Sequence, residues 1–125
     1  MFEEDYIMRL IHEMIRSILK LLFHIDVETP TAELLENEEE KATLETLLDR
    51  IDKGDINEAE NKIFELAEDD ANLEMILLFY SYLNDKSDAF LQENHFSRKE
   101  IQEDLKSILS QYGMDSMTEV FIGEA

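Results

Sequence analysis

Residues 49–60 read DRIDKGDINEAE, and two incompatible structures compete for them: a calcium loop, or a joint between two helices. A calcium loop of the EF-hand kind needs oxygen ligands at its first, third, fifth, ninth and twelfth positions and Gly at the sixth. Asp49, Gly54, Asn57 and Glu60 fall correctly, but the third position is Ile51, which has no ligand atom, and the fifth is Lys53, whose ammonium would repel the ion. The calcium reading fails. Read as a joint, Ile51, Gly54 and Asp55 each find a use. A helix over about 40–53 places Leu44, Leu47, Leu48 and Ile51 on one side, and Gly54 stops it. Asp55 then caps the next helix, with Glu58 three positions on, and Ile56, Ala59, Ile63, Phe64, Leu66 and Ala67 supply its buried face.

The same logic extends outward from this hairpin. LEMILLFYSYL, residues 73–83, is apolar on nearly every side, as a helix at the centre of a bundle must be. NDKSD interrupts it, and Phe90 and Leu91 anchor a short segment beyond. In FSRKEI, Ser97 and Glu100 form a capping box and Phe96 staples onto Ile101. The helix begun there buries Ile101, Leu105, Ile108, Leu109 and Tyr112 and ends at Gly113; SMTEVFI adds a last short turn. Toward the amino terminus, ENEEEKAT is a solvated joint or an exposed first turn, and Thr29 before Pro30 opens a short helix through Leu34 and Leu35.

From Tyr6 to Ile25 one stripe, Ile7, Ile11, Met14, Ile18, Leu22 and Ile25, recurs at helical spacing and should face the core. Met8, Ile15, Leu19 and Phe23 lie beside it, turned by about 80°. The opposite face carries Arg9, Glu13, Arg16 and Lys20, with His12 near its edge. The expected architecture is therefore all-α, an antiparallel array of helical hairpins with a long amphipathic first helix and a central apolar one. With 125 residues, three Gly and one Pro, a single domain over 1–125 is expected.

Charge and composition exclude several functions. The net charge is −20, and residues 26–125 carry −19 of it, eight cations against 27 acids. Such a field repels nucleic acid and anionic membranes, whose recognition begins with clustered Lys and Arg. The chain has no Cys, hence no thiolate nucleophile or thiolate metal site, and a reducing cytoplasm is the expected setting. SILKLLFHI is too short and too interrupted by Lys20 and His24 to span a bilayer, and Glu3, Glu4 and Asp5 stand where a secretory leader would be basic. HEMIR, residues 12–16, begins like a zinc-protease helix, yet Arg16 occupies the place of the second His. His24 lies about 120° from His12 around the helix, and His95 adjoins a capping box, so neither completes a zinc pair. His24 suits the helix C-terminus as a charge against the dipole. No catalytic constellation, cofactor loop or metal set is expected.

Two resemblances accompany these residues. KGDINEAENKIFELA is similar to the second half of a tetratricopeptide repeat (TPR), with Gly54 and Asp55 at the turn, Ala59 at the close crossing and Ile63 at the large apolar position. Leu47 and Arg50 depart from its first half, and Glu93 falls where a second copy wants a small residue. Over its length the chain also resembles a family of small bacterial proteins, chiefly from Firmicutes, of unknown function, through EEDYIMRLIHEMIR, INEAEN, LLFYSYLN and YGMDSM. That resemblance implies a helical cytoplasmic domain and transfers no catalytic residue.

The function expected from the residues is a non-catalytic interaction module, a homodimer formed through the surplus flank Met8, Ile15, Leu19 and Phe23. Burying one large apolar side chain contributes roughly 1.5–3 kcal/mol, so a doubled set of four can outweigh repulsion between acidic subunits. The alternative packing sends this flank into its own chain against the carboxy-terminal helices. Two other functional classes stay open: an acidic regulator that binds a basic protein, and an enzyme or metal protein built from clustered carboxylates with His12.

Overall fold

A computed structural model describes residues 2–69 and 72–122. They form α1 (Phe2–Phe23), a 3-10 turn (Ala32–Leu34), α2 (Glu38–Asp52), α3 (Ile56–Leu66), α4 (Leu73–Asn84), α5 (Asp88–Glu93), α6 (Arg98–Gln111) and α7 (Asp115–Ile122). The fold is all-helical, with no strand among the described residues. α4 packs against α1, α2 and α6, while α1 also lies against α6 and α7. Apart from Glu74 and Tyr82, every residue of α4 is buried, which is why its sequence shows so little two-sidedness.

Local chemistry sets most of the helix boundaries. Asn37 caps α2 by accepting from the Glu40 amide at 2.9 Å, so Glu38, Glu39 and Glu40 become the acidic first turn, opposite the positive end of the helix dipole. Gly54 adopts φ 88°, and the Asp55 amide reaches back to Arg50 O at 2.9 Å, closing the α2–α3 joint. A Cβ on Gly54 would also strike the Asn94 side chain at the end of α5. Ser87 caps α5 through the Phe90 amide at 3.1 Å. Ser97 caps α6 as expected: its hydroxyl accepts from the Glu100 amide at 3.2 Å, and Phe96 and Ile101 are both buried.

Three expectations are corrected. Thr31, not Thr29, caps the short turn, because Leu35 leaves in extended conformation to enter the core and only three residues remain to coil. Asp55 occupies the N-cap of α3 without a side-chain cap bond, and Glu58 instead pairs with Arg50 at 2.8 Å. Leu22 is 50% exposed although it continues the core stripe, because α1 stops at Phe23 and the chain turns back one residue later. His24 makes that turn in the left-handed region, φ 59°, with the Ile25 amide bonded to Leu19 O at 3.1 Å.

Candidate functional site

The 3-10 turn, α2 and the second half of α4 do not meet flush. Between them lies a cleft of about 500 Å3, lined by residues 29–33 and by Glu45, Leu48, Leu78, Tyr82, Asp85 and Lys86. Its volume falls in the range of small-ligand and side-chain pockets, roughly 300–1,000 Å3. Pro30, Ala32 and Leu78 form a buried floor, and Leu48 is half-buried beside them. Glu33, Glu45 and Asp85 stand exposed at the rim. Tyr82 is one of the two α4 residues that escape burial, so the cleft opens where the central helix is left uncovered.

One end of the cleft is held by four side chains from three helices and a turn. The Tyr82 hydroxyl donates to Asp52 Oδ1 at 2.7 Å, and Lys86 Nζ donates to the same oxygen at 2.6 Å. The Lys86 ammonium also sits 4.8 Å from the Tyr82 ring centroid and 4.9 Å from that of Phe90. Burial acts to raise the Asp52 carboxyl, but the bonds from Lys86 and Tyr82 and the Lys86 charge outweigh it and hold Asp52 below its usual value. Burial likewise acts to lower Lys86, and its bond to Asp52 overrides this and raises it. Lys86 is therefore a fixed cation whose charge is already matched.

A second polar cluster is internal. Glu60 on α3 is 6% exposed and accepts a 2.7 Å bond from the Tyr80 hydroxyl of α4. Burial first, then a hydrogen bond shared with the Asp104 carboxyl of α6, and then the charges of Asp104 and Glu100, push Glu60 up to about 8, against the opposing effect of Tyr80. Burial and the neighbouring Glu60 raise Tyr80 as well. Burial and Asp104 thus favour the protonated form of Glu60, which joins three helices. Its neighbours Tyr80 and Asp104 tie α3 to α4 and α6 from inside the bundle.

The residues singled out in the sequence are distributed otherwise than expected. Ile15 and Leu19 are each 1% exposed, and Met8 and Phe23 are half-buried. With α4, α6 and α7 all against α1, Ile15 and Leu19 are enclosed by their own chain, while Met8 and Phe23 keep part of their surface. Among the described residues the exposed large apolar side chains are Tyr6, Leu21, Leu22 and Val120. His12 lies 3.9 Å from Glu28, whose side chain is 79% exposed and so well solvated. Asp49 of the rejected calcium loop pairs with Lys53 at 3.0 Å. Among the described residues no group of three or more His, Cys, Asp or Glu is placed to hold a metal, and no helix is long and apolar enough to cross a membrane.

What these features define is an acidic helical module with an apolar cleft and a tied-down lysine at its edge. The chain belongs to the family of unknown function DUF6483, whose profile matches residues 1–113. No curated protein and no solved structure matches it.

Proposed function

We propose that this protein is a non-catalytic interaction module of the bacterial cytoplasm that binds a basic segment of another protein. The observation that carries this reading is how the few cations are used. Arg16, Lys20, Lys41, Arg50, Lys53, Lys62, Lys86 and Arg98 each pair with a carboxylate of the same chain. Their charge is spent internally, and the remaining acids present a negative surface that attracts a cationic partner and repels nucleic acid. The buried Ala59 and Ile63 and the left-handed Gly54 support a TPR-like packing of the α2–α3 hairpin, within an antiparallel array forming one domain.

The test is a titration with a labelled lysine-rich peptide at rising salt. Binding should weaken steadily as ionic strength shortens the screening length to about 8 Å at physiological salt. Absence of binding at low salt, or binding that ignores salt, overturns the reading.

A second reading, self-association, now rests on different residues. Leu21 and Leu22, 64% and 50% exposed, follow Lys20 and form an exposed apolar pair at the end of α1. If two copies meet there, sedimentation velocity should show a dimer for the wild type and a monomer for Leu21→Glu, Leu22→Glu. A wild-type monomer at high micromolar concentration removes this second reading.

A further inference from the structure

The cleft has an apolar floor and a charged rim of uneven sign. Pro30, Ala32, Leu48 and Leu78 offer only carbon to whatever enters. Three carboxylates, Glu33, Glu45 and Asp85, stand around them, against the single cation Lys86. Lys86 is bonded to Asp52, and Glu33 is partly occupied by Lys41 at 3.6 Å. Glu45 and Asp85 make no ion pair among the described residues. A floor of this kind excludes a strongly hydrated group, and a rim of this kind excludes an anionic one. The complementary object is a large apolar side chain with Lys or Arg close to it in sequence. Docking of such an anchor covers the half-buried Leu48 above the already buried Pro30, Ala32 and Leu78, while the flanking cations reach Glu45 and Asp85.

We propose that this cleft is where the basic partner docks, taking one Leu, Met or Phe side chain of a lysine- or arginine-rich segment into the pocket over Leu48 and Leu78. The inference rests on the acidic-docking reading and adds its address and the form of its ligand. The alkyl stem and ammonium of Lys86, lying over Tyr82 and Phe90, wall one end of the pocket. They limit how far the anchor extends toward α5. A second copy of this chain is a poorer occupant, because net charges of −20 repel and its exposed Leu21 and Leu22 have one adjoining cation, Lys20, already paired to Asp26.

The experiment uses the full chain and a fluorescein-labelled peptide with a Leu-Phe pair flanked on both sides by lysines. A control peptide has the pair replaced by serines. Binding is read by anisotropy, and the methyl resonances of Ala32, Leu48 and Leu78 report location. The proposal requires those methyls to shift, the serine peptide to bind at least roughly tenfold more weakly, and Glu45→Lys, Asp85→Lys to weaken binding by a similar factor. Both rim residues are exposed, so circular dichroism should show these variants folded. Glu103→Lys, at an exposed position of α6, is the control and should leave affinity within about twofold. If Glu103→Lys weakens binding as much as the rim pair, or the methyls stay still, the cleft is not the site while acidic docking stands. No binding of either peptide at low salt overturns both. A wild-type dimer abolished by the rim variants assigns the cleft to a second copy and overturns the proposal.

Discussion

Arg98 is the largest of the fully buried side chains, 1% exposed, and it stitches the turn after the central helix. Its guanidinium donates to Asn84 O, Lys86 O and Asp88 Oδ1, so the carbonyls left over at the end of α4 are met by one planar fork. Arg98→Leu should cost about 3 kcal/mol or more in urea unfolding, because those acceptors lose a charged donor away from water, and Arg98→Lys should recover only part. Glu60 gives the matching prediction for pH. Its folded pKa of about 8 is raised above the unfolded 4.5, so its contribution to stability is fully present below 4.5 and is lost as pH rises through about 8. Unfolding midpoints should fall by an amount worth a few kcal/mol across that window, and Glu60→Gln, which keeps partners for Tyr80 and Asp104, should flatten the fall. An unchanged slope in Glu60→Gln shows that the proton lies elsewhere. Neither residue announced itself in the sequence: an Arg or a Glu in a helix reads as solvated, and their burial depends on partners up to 44 positions away.

At the scale of helices, the hairpin and the boundaries were legible because their causes are local. Ser97 with Glu100, Gly54 at the turn and the unbroken apolar run of α4 act within a few residues of themselves. Ser97→Ala should accordingly cost about 1 kcal/mol in thermal or urea unfolding. The fate of α1 was legible only by halves. Its periodicity showed that a wide arc needed cover, but α4, α6 and α7, which give it, begin at Leu73, Arg98 and Asp115. Nothing near Ile15 or Leu19 distinguishes cover by one's own chain from cover by a second one. The burial now assigned to them makes a distinct prediction. Leu19→Glu places a carboxylate in a site 1% exposed and should unfold the protein or lower its stability by several kcal/mol, seen as lost helicity by circular dichroism. A Leu19→Glu protein as stable as the wild type would show that this side of α1 lies open. The cleft escaped sequence reading for the same reason, since Pro30, Leu48 and Leu78 meet only in three dimensions.

For the molecule as a whole, the surplus of 31 acids over 11 cations sets a self-repulsion that every packed contact must outweigh. Added sodium chloride should therefore raise the unfolding midpoint through the moderate range, despite screening the surface ion pairs, each of which contributes about 0–1 kcal/mol. A midpoint that drops with salt would mean that those pairs dominate. The order of the chain carries a further consequence. The Asn84 side chain donates to Met8 O at 3.0 Å, a bond across 76 positions, and most of what shelters α1 comes from the second half of the sequence. During synthesis α1 emerges before the helices that cover it, and its oily sides stay wet until α4, α6 and α7 have followed. A truncated product would hold no partner for it, and unfinished chains become natural clients for chaperones and proteases that grip exposed grease.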